Sequence, residues 1–498
     1  MKRFGPVIVV GCAFMRPLEV WAVNAWDIGL PYRLLGVGVL LSVLGLALYW
    51  IGRKAGMEIL SAAVAAGGVI LVLMMWSNLV GSPWLWLVAV VAVPWYLLAD
   101  LSPRVSRLVV TLTLGLVVVY PIVALITEHV TNATTFAIDT LTPRASATPT
   151  GDAEDIVLIV PDSYPSPVIA EQWFGHDMAP LRQAFQGEGF EWEEAGLSRH
   201  TFTLLALSSM FELQPVIDDS VTPPWGNLTS LYDIAGGDNY LRAALQTAGF
   251  RYIHIESGFD GTKCGPSVDS CHRAGFLDES TWNLLVPSAL YGPLADRYGS
   301  YSVPGTIHAT DEAVEVLEEI DGNGQHDFVF VHLLLPHPPV VVDETCAVIS
   351  QEAEPVVTGA DSPFTEGYEP QLGCVDEYLA RLAGVAGDDA AILVAADHGS
   401  GLGGQVNAPP EEWSDADVAE RFSILLTYRF PAACEGPVEP TNLDVMRAAV
   451  ACVAEIEMPD RETRYLIGAL DPIWVESDRM DSIIAQVRAG APPPPDAG

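Results

Sequence analysis

Residues 391–399 read Ala-Ile-Leu-Val-Ala-Ala-Asp-His-Gly, an apolar run followed directly by an aspartate and a histidine that could bind a ligand, and by a glycine. A continuous apolar run is typical of a strand that is buried on both faces of a parallel sheet. Similar short runs lie at residues 156–160, 251–255 and 328–333. Helical patterns alternate with them, at residues 179–186, 240–247, 311–320, 377–385 and 445–456. This alternation predicts an α/β domain with a largely parallel central sheet.

Polar side chains follow three of these predicted strands. Asp162 follows the run at 156–160, and Asp397 and His398 follow the run at 391–396. His332 lies near the end of the run at 328–333, and His337 comes just after it. Ligands of open α/β sheets bind beyond the carboxyl ends of the strands. Carboxylates and imidazoles together suit a divalent cation, although each residue alone is as well explained as a turn former or a structural histidine.

A candidate nucleophile lies about forty residues after Asp162. The segment from Ser198 is predicted to be extended and to turn into a helix near Thr203. A hydroxyl at a helix N-terminus lies in a field that favours anions, and coordination to a metal would lower its pKa. The alternative is that Thr203 is an ordinary N-cap, and the local sequence by itself favours that interpretation.

Charge divides the chain into two parts. The first 150 residues contain nine basic and six acidic residues, whereas the remaining residues contain 15 basic and 57 acidic ones. So acidic a second part repels phosphate backbones, which excludes nucleic acid as a partner.

The first part has the pattern of a membrane domain. Uncharged runs occupy residues 34–52, 59–99 and 108–127, and the longest of them is interrupted by Gly-Ser-Pro at 81–83. Because about 20 apolar residues span a bilayer, these runs predict four transmembrane helices, with a fifth candidate at residues 4–22.

The basic residues predict the topology of this membrane domain. If five helices run from a cytoplasmic N-terminus, the pairs Lys2/Arg3, Arg53/Lys54 and Arg104/Arg107 all fall on the cytoplasmic side, as the positive-inside rule expects. With four helices the N-terminus lies outside, and both arrangements place the large domain outside. Everything after residue 127 is then outside. The predicted organisation is a membrane domain at 1–130, a linker at 131–152, an extracytoplasmic domain at 153–475, and a C-terminal extension with a proline-rich disordered tail at 476–498.

The cysteines agree with this compartment. Cys12 lies in the first apolar segment, and the other six cysteines all lie in the acidic part: Cys264, Cys271, Cys346, Cys374, Cys434 and Cys452. An even number of cysteines outside the cytoplasm favours disulfides. Pairing of nearest neighbours is the simplest of the possible connectivities, and six reduced core cysteines are the alternative.

The order of these features resembles the alkaline phosphatase/sulfatase superfamily. It is most similar to the membrane-anchored branch that includes lipoteichoic acid synthases and phosphoethanolamine transferases. The matching features are the strand ending at Asp162, the Thr-x6-Met-Phe segment from Thr203, His-x4-His-x-Pro from His332, and Asp397-His398-Gly399. The segment Glu420-Arg421-Phe422-Ser423 also looks familial.

The resemblance implies a role for each of these residues. Asp162, Thr203, Asp397 and His398 would hold one divalent metal ion, zinc or manganese, with calcium and magnesium as alternatives. Thr203 would also be the nucleophile and form a phospho-threonine intermediate. His337, together with His332, would bind the substrate oxyanion or protonate the leaving group. A membrane lipid or a cell-envelope glycan would be the substrate, and either water or an acceptor hydroxyl would resolve the intermediate.

Two related activities do not fit the sequence. Formylglycine sulfatases require Cys/Ser-x-Pro-x-Arg, and the segment from Cys264 has Val268 in place of the arginine. Two-metal phosphatases require a histidine well downstream of the Asp-His pair, and His398 is the last histidine in the chain. The remaining alternative to an enzyme is a catalytically inactive sulfatase-like membrane protein that binds anions or metal.

Overall fold

A computed structural model describes most of the chain: residues 5–23, 32–74, 154–217, 229–286, 288, 291–349, 368–385, 387, 390–402, 409–456, 458, 464–468 and 473–491. The chain forms two compact units, one comprising Met1–Thr135 and Phe276–Arg297, the other Phe136–Gly275 and Tyr298–Gly498.

The helices and strands of the described residues are numbered here in chain order. The helices are α1 (Gly5–Val23), α2 (Tyr32–Lys54), α3 (Ile59–Met74), α4 (Pro167–Phe174), α5 (Ala179–Gly187), α6 (Thr203–Phe211), α7 (Thr229–Ala235), α8 (Tyr240–Thr247), α9 (Glu279–Leu285), α10 (Tyr291–Tyr298), α11 (Ser302–Ile320), α12 (Tyr368–Val385), α13 (Asp415–Phe422), α14 (Asn442–Val453) and α15 (Ser477–Arg488). The strands are β1 (Ile156–Pro161), β2 (Glu191–Leu197), β3 (Arg251–Ile255), β4 (Ser270–His272), β5 (Asp327–Leu333), β6 (Ala391–Ala395), β7 (Ser423–Arg429), β8 (Leu466–Ile467) and β9 (Ile473–Trp474).

The first unit contains the three N-terminal helices. They pack through small and apolar side chains, which include Ile8, Val9, Cys12, Ala63 and Ala66. The outer face of α2 is apolar as well, since Leu40, Val43, Trp50 and Ile51 are all more than 60% exposed. A soluble helix rarely presents such a face to water.

One segment of the described residues, Leu34–Lys54, is long and apolar enough to cross a membrane. The weaker candidate span at residues 4–22 coincides with α1, and α3 covers the beginning of the run at 59–99. The rest of that run, the predicted span at 108–127 and the predicted linker at 131–152 lie outside the described residues. The multi-pass arrangement stays a prediction.

The second unit is built on a seven-stranded sheet with the order β2-β7-β6-β1-β5-β3-β4 among the described residues. The five strands from β6 to β4 run parallel, as the apolar runs predicted. The four predicted strands lie within one residue of their observed bounds. Strand β1 is at the centre, and every one of its residues is buried.

The sequence analysis missed the two antiparallel strands at one edge of this sheet. Strand β7 pairs antiparallel with β6, and β2 pairs antiparallel with β7. Two reversals restore the direction, so the carboxyl end of β2 lies at the same edge of the sheet as the carboxyl end of β6. The segment that leads to Thr203 leaves β2 at this edge.

Helices α5 and α8 begin where predicted, whereas the other three predicted helices begin earlier in the chain. Helix α11 begins at Ser302 rather than 311, and α12 begins at Tyr368 rather than 377. The added first part of α11 buries small residues, among them Gly305, Thr306 and Ala309, which carry little periodic signal. In α14, Thr441 accepts a hydrogen bond from the Asp444 amide and thereby sets the first residue at Asn442.

The six cysteines of the second unit form three disulfides between nearest neighbours. The pairs are Cys264–Cys271, Cys346–Cys374 and Cys434–Cys452. Cys12 is the free cysteine of the described residues, and it is buried. The simplest connectivity is therefore confirmed.

The predicted C-terminal extension at 476–498 contains a packed helix. Helix α15 buries Met480, Ile483 and Val487 in a cluster that also contains Leu197 and Phe422. This cluster also contains residues of β2, the edge strand of the sheet, and of α13. Residues beyond 491, including the proline run, lie outside the described residues.

A buried carboxyl at the end of α6 makes stability depend on pH. Burial raises the pKa of Glu212 from 4.5 to about 7, although the hydrogen bond that Glu212 accepts from the Tyr240 amide lowers the pKa in part. The unfolded chain ionises first, so the folded state loses stability as the pH rises from about 4.5 to about 7. We expect Glu212→Gln to remove about 3 kcal/mol of this loss. Urea unfolding of the wild type and of Glu212→Gln at pH 5 and pH 7.5 measures this difference. An equal change in the free energy of unfolding with pH in both proteins would contradict the prediction.

Candidate active site

Four side chains predicted from the sequence meet at the carboxyl edge of the sheet. Asp162 follows β1, Asp397 and His398 follow β6, and Thr203 begins α6 after β2. All four are buried, with at most 6% of each residue exposed. Asp162 lies beside Asp397 and His398 because β1 lies between β5 and β6 and runs parallel to both.

The polar atoms of these residues converge on one small space. Nε2 of His398 lies 3.1 Å from Oγ1 of Thr203 and 3.3 Å from Oδ2 of Asp397. The same nitrogen lies 3.8 Å from Oδ1 of Asp162. One ligand atom from each of Asp162, Asp397 and His398 lies within 4.8 Å of the other two.

The donor set of this cluster fits a divalent cation. Oδ1 of Asp162 and Oδ2 of Asp397 are buried and make no hydrogen bond. Burial and the charge of Asp162 raise the pKa of Asp397 to about 6. For Asp162, burial raises the pKa, but neighbouring His337 and His332 lower it, and the net shift is downward. Each of these two neighbouring buried carboxylates has an oxygen without a hydrogen bond, and a cation bound by these oxygens would favour ionisation of both.

The orientation of His398 suits a metal ligand. Nδ1 of His398 lies 2.9 Å from the carbonyl oxygen of Gly399, and a carbonyl only accepts. Nδ1 therefore carries the proton, and Nε2 presents its lone pair to the cluster. Burial and the charge of Arg421 lower the pKa of His398 well below its usual value, so the ring is neutral.

Gly399 is required by the packing beneath this loop. A Cβ built on Gly399 would collide with the backbone carbonyl oxygens of Glu420 and Ser423. The Gly399 amide also donates to the carbonyl of Arg421. The glycine of the Asp-His-Gly segment thus lets the loop lie against the chain that enters β7.

Thr203 is the first residue of α6 and does not act as its cap. The N-cap position belongs to Phe202, and no side chain caps the helix. The hydroxyl of Thr203 instead contacts His398. The alternative interpretation of Thr203 as an ordinary N-cap is therefore wrong.

The two other predicted histidines flank the cluster. Nε2 of His332 is buried, makes no hydrogen bond and lies 3.5 Å from Oδ2 of Asp162. His337 is exposed, and its ring centre lies 6.4 Å from that of His398. His332 therefore lies inside the cluster, whereas His337 lies at its solvent side.

Three residues that hold this arrangement were not assigned to the site from the sequence. The Ser163 amide donates to Oδ1 of Asp397, and its hydroxyl lies 3.2 Å from Nδ1 of His398. Arg421 donates to the carbonyls of Gly399, Ser400 and Thr201. Asn442 donates to Ser198 Oγ and to the carbonyls of Ala396 and Asp397. Only Arg421 had a signal, as part of the familial segment, whereas Ser163 and Asn442 act through long-range contacts.

The segment that resembles a formylglycine motif has a different role in the structure. Cys264 is bonded to Cys271, so its sulfur is not available for conversion. Glu256 lies close to both sulfurs, but a disulfide leaves no thiolate to bind a metal.

Comparison with known proteins gives a fold-level result. No protein-family model matches the chain, and no curated protein matches it. Among solved structures, the periplasmic domain of EptC from Escherichia coli is 11% identical with a TM-score of 0.43, and the match covers 68% of this chain and 97% of that one. The same domain has also been solved in complex with Zn.

Two further structures extend the comparison. The integral membrane phosphoethanolamine transferase EptA from Neisseria meningitidis is 14% identical with a TM-score of 0.39, and the match covers 86% of this chain and 89% of that one. A sulfatase from Bacteroides thetaiotaomicron is 12% identical with a TM-score of 0.37, and the match covers 61% of this chain and 73% of that one. The sequence identities of these structures to the chain lie between 11% and 14%.

Proposed function

We propose that the chain is a metal-dependent enzyme that cleaves phosphodiesters or sulfate esters, or transfers a phospho-head-group, with Thr203 as nucleophile. One observation carries the proposal: the buried Thr203 hydroxyl shares a single space with the free oxygens of two carboxylates and with Nε2 of His398. A buried cluster of acceptors beside a hydroxyl is costly for folding and suits a cation with an activated nucleophile.

Asp162, Asp397, His398 and Thr203 would hold one divalent cation, either zinc or manganese, with calcium and magnesium as alternatives. When bound, the cation lowers the pKa of the Thr203 hydroxyl and polarises a substrate oxygen. Asp162 and Asp397 supply negative charge, and His398 supplies a neutral nitrogen. Mixed oxygen and nitrogen ligands match the preference of zinc and manganese.

The chain's own residues then perform two displacements. The Thr203 hydroxyl first loses its proton to solvent. Its deprotonated Oγ1 forms a bond to phosphorus as the bond to the leaving oxygen breaks, and the exposed His337 gives that leaving oxygen a proton. Nε2 of His332 binds a non-bridging oxygen. Water or an acceptor hydroxyl next attacks phosphorus, gives its proton to His337 and releases Thr203. Water makes the enzyme a hydrolase, and a lipid or glycan hydroxyl makes it a transferase.

The proposed location is outside the cell membrane, with a membrane lipid or a cell-envelope glycan as substrate. The apolar outer face of α2 and the three disulfides support this compartment. We expect a reporter that is active only in the cytoplasm, fused after Pro495, to be silent. A reporter fused after Lys54 serves as the control and should be active. Strong cytoplasmic signal from the Pro495 fusion would reverse the topology.

A turnover assay on the full chain in detergent tests the proposed function. We expect metal-loaded protein to cleave bis(4-nitrophenyl) phosphate, chelation to abolish this activity, and zinc or manganese to restore it. A sulfate ester, 4-nitrophenyl sulfate, tested in parallel measures sulfuryl transfer. One bound ion without turnover of either substrate would instead support the inactive, metal-binding alternative.

A further inference from the structure

The ring of His332 is held by two hydroxyls that belong to one loop. Nδ1 of His332 lies 3.1 Å from Oγ of Ser257 and 3.2 Å from Oγ1 of Thr262. The two hydroxyls lie 3.3 Å from each other, and all three residues are fully buried. The opposite ring nitrogen, Nε2, has no hydrogen bond and lies beside Asp162.

Sheet register brings this loop to the site. Strand β3 runs parallel to β5, and Ile255 pairs with Val331. Ser257 therefore follows the end of β3 at nearly the level at which His332 occurs in β5. The loop continues through a short helical turn at Asp260–Thr262, which places Thr262 on the same ring nitrogen.

The loop is tied down at several points. The Cys264–Cys271 disulfide closes it, and the carboxylate of Glu256 accepts the amides of Cys264 and Ala274. On its other side, the Ser257 carbonyl lies so close to Gly305 of α11 that a Cβ on Gly305 would collide with it. Ser257 and Thr262 thus have little freedom to move away from the imidazole.

We propose that Ser257 and Thr262 are positioning residues that lock His332 so that Nε2–H points at the substrate oxyanion. The Phe259 amide donates to Oγ of Ser257, so this hydroxyl is free to donate its own proton onward. Hydroxyl donation to Nδ1 stabilises the tautomer that carries its proton on Nε2. An N–H directed from Nε2 is the group that a phosphoryl oxygen accepts from. This inference rests on the proposed function for the role of His332, and it gives the disulfide-closed loop a part in that role.

Kinetics of full-chain variants test the proposal. Ser257→Ala/Thr262→Ala should lower kcat on bis(4-nitrophenyl) phosphate by about 10- to 100-fold, the range seen for groups that orient an active ligand, with metal content nearly unchanged. Ser257→Thr/Thr262→Ser keeps both hydroxyls and should restore most of the rate. Thr310→Ala removes a buried hydroxyl that bonds nothing, and it should leave kcat unchanged.

A double-mutant cycle with His332→Ala separates an effect that acts through His332 from a general disturbance of the fold. In that background, loss of both hydroxyls should change kcat by less than about twofold, because their effect passes through the missing ring. A full further loss in the His332→Ala background would overturn the proposal. So would a Ser257→Ala/Thr262→Ala variant with the wild-type kcat.

Binding of inorganic phosphate tests the positioning role of Ser257 and Thr262 without requiring turnover, so its result is independent of the proposed function. Calorimetric titration of the metal-loaded full chain should show the same fold-loss of phosphate affinity for His332→Ala and for Ser257→Ala/Thr262→Ala. If wild type cleaves no ester but this equal loss is found, the proposed function fails and the positioning role stands. If wild type is active and the hydroxyl variants bind phosphate normally, the positioning role is wrong and the proposed function stands.

Discussion

Thr203→Ala is expected to lower turnover of a phosphodiester by about 1,000-fold or more, because no other group takes the place of an activated nucleophile. The fold should persist, since Thr203 does not cap α6 and its hydroxyl contacts His398 rather than the backbone. Most of the bound metal should also persist, because Asp162, Asp397 and His398 remain. Steady-state kinetics and metal analysis of the full chain measure both quantities.

Two controls and a trapping experiment sharpen this test. Thr203→Ser keeps a hydroxyl and should retain measurable turnover. Thr201→Ala should be much milder, because the Thr201 hydroxyl accepts the Gly468 amide. Acid quenching with a labelled phosphodiester should leave the label on the peptide that contains Thr203. Label on Thr201 or Ser163 would move the nucleophile, and an active enzyme without label would favour direct attack by water.

Asp397→Ala is expected to reduce the metal content well below one ion per chain. The change removes a buried carboxylate whose free oxygen faces Asp162 and His398, so the cation loses much of its compensating charge. Asp397→Asn keeps the size and removes only the charge, and it should weaken binding in the same direction. Metal analysis after gel filtration in chelator-free buffer measures the occupancy.

Asp327 offers a matched control for this experiment. It is a fully buried aspartate at the opposite end of the same sheet, where it forms an ion pair with Arg251. Asp327→Ala should lower the stability of the domain but leave the metal content of the folded protein at the wild-type level. Full occupancy in Asp397→Ala, or equal metal loss in both variants, would refute the assignment of the metal site.

Much of the site could be predicted because its residues follow strands that the sequence marks clearly. The buried parallel strands β1, β5 and β6 are continuous apolar runs, and such runs are readable without knowledge of their partners. Once these strands are placed in parallel, their carboxyl ends must share one edge. The place of β1 between β5 and β6 then brings Asp162, His332, Asp397 and His398 close together.

The edge strands were not predictable in the same way. The first half of β2, Glu-Trp-Glu-Glu, is largely exposed and charged, and its pairing with β7 supplies the hydrogen bonds that define it. Its β structure depends on a partner more than two hundred residues away. Strand β7 is apolar, but its antiparallel direction is decided by its place beside β6.

The sequence by itself determined the apolar strands, the order of the proposed metal ligands and the start of α6 near Thr203, because each of these depends on local composition or short spacing. Only the tertiary structure decided that Thr203 does not cap its helix, that Ser163, Arg421 and Asn442 join the loops of the site, and that Ser257 and Thr262 hold His332. These are contacts between residues far apart in the chain. Their geometry follows from sheet register and close packing, which local sequence does not contain.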